Sequence, residues 1–154
     1  CCSYRDVTLY IKAHPREKIT NKTLEGYRKK YPGLDIILTN SHLIGISSKV
    51  DLIVSFWSSG ILQSLIYDKP VIELYPPKDI GEDTAFNSEG KITTVYNKLG
   101  LAINTFSRKE FYSLTVLALE DSNNKIWREQ KSAFKKHVDN GEYSPEKIFN
   151  LLNK

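Results

Sequence analysis

Two short segments carry the side chains best suited to holding an anion. One reads Ile11-Lys12-Ala13-His14-Pro15-Arg16 and the other Ser58-Ser59-Gly60. An imidazole titrates near neutrality, so His14 can donate to a phosphate oxygen or protonate it as a leaving group departs, which makes it the candidate catalytic residue. Arg16 reads either as a phosphate clamp or as a surface charge. Ser58 and Ser59 supply hydroxyl donors, and Gly60 lets the backbone approach an anion with no Cβ in the way. The same turn also reads as a plain helix N-cap, and both readings stand. Glu73 offers a carboxylate to a ligand's hydroxyls or to solvent. Thr39 and Asn40, with Ser41 and His42, offer polar groups to a ligand, or else form a polar loop and helix cap. No acidic pair marks a metal site, so neither a metal nor a separate cofactor is expected.

These residues matter only if the elements around them bring them to one edge. The β-branched and aromatic run 6–12 predicts a strand ending at His14, stopped by Pro15, which cannot donate to a ladder. A lysine-rich surface helix over 20–30 closes at Tyr31-Pro32-Gly33. A strand over 34–38 follows, then a short helix within 40–49 and an apolar strand over 52–56. Ser58 heads a buried helix running to about residue 68, and 70–74 makes the fourth strand. A loop is expected over 75–90, where Tyr75 to Pro77 either wall a ligand pocket or end a strand. Ile92, Val95, Tyr96 and Leu99 mark a helix, 101–103 a short strand, and Ser107 the cap of another helix. Residues 123–138 repeat the helical stripe, and Ser144-Pro145-Glu146 opens a last helix. Strands alternating with helices predict an α/β fold, a parallel sheet covered on both sides. Ligands of such sheets sit outside the carboxyl ends of the strands. His14, Thr39, Ser58 and Glu73 fall at that edge, whereas Asp51 opens its strand at the other and takes a structural role.

Taken in order, the His14-Pro15-Arg16 segment, Asp51-Leu52-Ile53-Val54-Ser55 with Ser58-Ser59-Gly60, and Lys69-Pro70-Val71-Ile72 resemble the carboxyl-terminal domain of bacterial GT-B glycosyltransferases that build capsules and other surface polysaccharides. Similar HP and SS segments hold the donor's nucleotide phosphates in bacterial sialyltransferases, Kdo transferases and CDP-glycerol polymerases. The likeness runs from residue 6 to 104, and a helical tail over 107–153 is compatible with those enzymes. It implies a Rossmann-like half of a GT-B fold, one nucleotide-sugar-binding domain over 1–154, with phosphates on His14, Arg16, Ser58, Ser59 and Gly60 and the ribose or base near Glu73, Thr39 and Asn40. It further implies a pyrimidine nucleotide sugar as donor and a cytoplasmic setting, at the inner face of the membrane in one version. The strand and helix that precede the HP segment in those families, and their acceptor-binding domain, are not seen here. The chain is therefore expected to be part of a longer enzyme, meeting its glycan acceptor through that domain and transferring nothing alone. The non-hydrolysing UDP-N-acetylglucosamine 2-epimerases share the scaffold. Gln63 and Ser64 stand where their ribose-binding glutamates would be.

Composition narrows the field. With 154 residues, 40% hydrophobic and 26% charged, the sequence fits one globular domain. No apolar run reaches the roughly 20 residues of a membrane span. The formal charge of +4 is scattered apart from clusters such as Arg28-Lys29-Lys30, which argues against nucleic acid. Peripheral contact of a basic helix with anionic lipid stays open beside a merely solvated face. Adjacent Cys1 and Cys2 suit neither a disulfide framework nor a metal site and point to a reducing compartment. A third class also fits: a non-catalytic, flavodoxin-like module binding a nucleotide or a partner, in which the serine turn is only a cap.

Overall fold

A computed structural model describes residues 7–14, 19–56, 58, 60–74 and 93–139. The chain divides into two compact units, Cys1–Gly45 and Ile46–Lys154. Arg16, Ser59, the expected loop over 75–90 and the helix expected from Ser144 lie outside the described residues.

The first unit holds a strand, a helix and a second strand. β1 (Thr8–Ile11) and β2 (Asp35–Leu38) pair in parallel, Leu9 opposite Ile36 and Ile11 opposite Leu38. α1 (Asn21–Lys30) lies between them in sequence and begins where Thr20 accepts from the Thr23 N–H at 3.2 Å. That cap satisfies one of the orphan donors of the first turn. Pro32 and Gly33 then fold back, with Leu34 N–H donating to the Tyr31 carbonyl at 3.0 Å. Leu24 and Ile36 are buried, and the Arg28 guanidinium donates to the Ile36 carbonyl at 2.8 Å. Helix α2 (Leu43–Ser47) contains the division between the units.

The second unit is built on a parallel sheet of order β3-β4-β5, with β3 at Ile53–Ser55, β4 at Val71–Leu74 and β5 at Ile103–Thr105. Its helices are α3 (Gly60–Leu65), α4 (Val95–Lys98), α5 (Arg108–Glu120) and α6 (Lys125–Phe134), and α6 ends in a wider, π-type turn over Lys135–Asp139. Alternation along the strands separates two apolar clusters. Val71 packs with Ile61, Leu65, Leu101 and Ala102 on one face. Ile72 packs with Ala118 and Trp127 on the other. The sheet is therefore covered on both sides, which is why Val71 and Ile72 are both fully buried although they face opposite ways. The chain is α/β, with two small parallel sheets flanked by helices.

The fifth strand begins at Ile103, two residues later than the expected 101–103. Gly100 takes a φ of 72° to leave α4, and Leu101 N–H donates to the Tyr96 carbonyl at 2.7 Å, so this stretch is a helix exit. The register that sets Ile103 opposite Ile72 would bring Ala102 to Val71. Gln130 of α6 already holds Val71 there: its amide oxygen accepts from the Val71 N–H at 3.0 Å, and its amide nitrogen donates to the Val71 carbonyl at 2.9 Å. A buried side chain thus completes the ladder in place of a strand.

Candidate functional site

The carboxyl edge of the second sheet gathers the polar groups. Ser58 stands between β3 and α3 and is exposed. Its hydroxyl accepts from the Gly60 N–H at 3.1 Å, and its carbonyl from the Ile61 N–H at 3.2 Å. Ser58 therefore caps the helix, while its own O–H donor has no partner among the described residues. A hydroxyl that accepts from the backbone is free to donate outward to an anion. Behind it, Ser64 is fully buried and donates to the Gly60 carbonyl at 3.0 Å, and Ser47 donates to Ser64 at 3.4 Å. The start of α3 is thereby tied down on its inner side.

Glu73 lies inside the sheet rather than on its rim. It has no exposed surface, in contrast to the solvated carboxylate weighed from the sequence, and it accepts from the Thr94 hydroxyl at 2.6 Å. Thr94 also caps α4 by accepting from the Asn97 N–H at 3.2 Å, so one hydroxyl joins the helix start to the central strand. Burial first, and then the Glu73 charge, push the Tyr96 phenol above its usual value of 10.0. Ser55, Glu73 and Asn104 occupy one row across the three strands, and register places their side chains on one face. At the end of β5, the buried Thr105 donates to Glu110 at 2.9 Å. Sequence reading passed over Thr94, Asn104 and Thr105. The available signal was a run of polar residues at strand ends and helix starts.

The first unit carries the other candidates. His14 is exposed, three residues beyond the end of β1. Thr39 continues the ladder through its N–H to the Ile11 carbonyl at 3.0 Å, and its hydroxyl accepts from the Ser41 N–H at 3.1 Å. Asn40 is exposed, and His42 Nδ1 accepts from the Ile44 N–H at 3.4 Å at the start of α2. His14, Thr39 and Asn40 thus belong to one unit, and Ser58, Gly60 and Glu73 to the other. Among the described residues no group of three His, Cys, Asp or Glu side chains is placed to hold a metal ion, and no helix is long and apolar enough to cross a membrane. No protein family, curated protein or solved structure matches the chain.

Proposed function

We propose that this chain is the nucleotide-sugar-binding domain of a bacterial glycosyltransferase of surface or capsular polysaccharide synthesis, a Rossmann-like half of a GT-B enzyme. The observation that carries this reading is Ser58: an exposed hydroxyl whose donor has no partner among the described residues, at the carboxyl edge of a parallel sheet, where β3 hands over to α3. Ligands of open α/β sheets bind outside that edge. Helix starts and free donors favour phosphate oxygens there. In this reading the Ser58-Ser59-Gly60 turn holds the donor's phosphates, while the resemblance gives His14 and Arg16 to phosphate binding and His14 to stabilising or protonating the departing phosphate, roles that the His14→Ala titration tests. Glu73 supports the site from within through Thr94 and takes no part in donor contact. The acceptor in this reading is a surface glycan, and the setting is cytoplasmic.

The test is a thermal-shift and NMR titration of the chain with CMP, CDP and UDP, in wild type and in Ser58→Ala and His14→Ala. A ligand preferring the folded state raises the melting temperature. A saturable shift at Gly60 and Ile61 that both variants weaken supports the proposal. Indifference to all three nucleotides overturns it and leaves Ser58 as a helix cap in a non-catalytic module.

A further inference from the structure

A cavity of about 320 Å³ opens at the amino edge of the second sheet, the edge opposite Ser58. Asp51 lines it from ahead of β3, Asp68 and Lys69 from the turn ahead of β4, and Lys131 from α6. None of these four charges is ion-paired among the described residues. Two carboxylates and two ammonium groups therefore border one space without neutralising each other. Lys131 is kept at this edge because the neighbouring Gln130 is bonded to both backbone groups of Val71. Asp68 takes a left-handed φ of 57° as the chain leaves α3. Glycine adopts that conformation at least cost, and aspartate is one of the few other residues that tolerate it. A carboxylate thus stands where backbone geometry alone favours no side chain. Leu119, 38% exposed, adds an apolar wall.

A ligand of one sign would meet two attractive and two repulsive groups here. From this arrangement we infer that the cavity binds a small zwitterion, its anionic group taken by Lys69 and Lys131 and its ammonium by Asp51 and Asp68. Known ligand pockets start at roughly 300 Å³, so the volume suits a ligand of amino-acid size. A carboxylate or a phosphate can supply the anionic end, making an α-amino acid or an aminoalkyl phosphate the two sources. The site is separate from the proposed donor site and does not rest on it.

The test is a ¹⁵N NMR titration of the full chain with glycine, β-alanine and phosphoethanolamine, with ethanolamine, acetate and inorganic phosphate as single-sign controls. Saturable shifts at the amides of Asp51, Asp68, Lys69 and Lys131 are expected, with a zwitterion binding about tenfold more tightly than any control. The tighter of the amino acids and the aminophosphate identifies the source. Asp68→Asn and Lys131→Gln should each weaken binding about tenfold. Asp68→Gly should do the same with no backbone strain to confound it. Absence of saturation, equal binding of a control, or unchanged affinity in the variants overturns the inference. Nucleotide effects would be read at Gly60 and Ile61 instead, so the two proposals fail separately.

Discussion

Each of the two sheets is tied to a helix by one side chain bonded to strand backbone, and the ties differ in kind. In the first unit Arg28 makes a single, partly buried bond to the Ile36 carbonyl, and β1 exposes three of its four residues. In the second, Gln130 is 1% exposed and bonds both the N–H and the carbonyl of Val71, in a strand buried on both faces. Water can replace the arginine's bond but cannot reach the glutamine's. The same gesture is thus an ornament on one sheet and a structural member of the other, because burial decides what a lost hydrogen bond costs.

The largest expected effect follows from that difference. Gln130→Ala strands two buried backbone groups and opens a cavity, so it should destabilise by about 3–5 kcal/mol in denaturant unfolding. Gln130→Leu should recover little, since apolar volume cannot bond Val71. Gly100→Ala forces a left-handed residue and brings its Cβ to 3.3 Å from Ala133. The expected loss is about 1–2 kcal/mol in the same assay. Arg28→Ala should cost only about 1 kcal/mol, and equality with Gln130→Ala would break the comparison. Ser58→Ala removes a cap from a short helix and should likewise cost about 1 kcal/mol, with Ser58→Gly closer to neutral. The smallest effect concerns pH. A raised phenol keeps its proton longer in the folded chain, so Tyr96 contributes stability that is intact below its ordinary value of 10.0 and lost as pH climbs through the folded one. Tyr96→Phe should flatten that alkaline loss in unfolding curves taken on either side of about pH 10.

Most elements were legible because local chemistry and tertiary demand agree. Ser107 caps α5 by accepting from the Glu110 N–H at 3.2 Å, as its type and place announce. The Pro70-Val71-Ile72 segment became part of the central strand because both of its faces are covered. Leu101 and Ala102 misled, since buried apolar residues look alike in a strand and in a helix exit. Only the distant Gln130 decides which of the two Val71 meets. That glutamine was itself visible as a polar residue interrupting the stripe of Ile126, Trp127, Ala133 and Phe134. Its partner, 59 residues away, was not. Of the candidate residues, their positions along the chain's elements were legible, not their roles. Ser58 is at the expected handover from strand to helix, whereas Glu73 turned inward because Thr94, beyond the loop expected over 75–90, supplies its hydrogen bond.

The glutamine clamp also bears on how this molecule behaves among its own kind. An unsatisfied strand backbone invites a stranger's strand to add on, the first step toward fibrous or swapped assemblies. At Val71, where β5 has not yet begun, that invitation is withdrawn by an amide that mimics a peptide and has no chain to propagate. Because Val71 is fully buried, the groups freed by losing Gln130 would meet another chain only when the fold opens around α6, so any gain in association should follow the loss of stability.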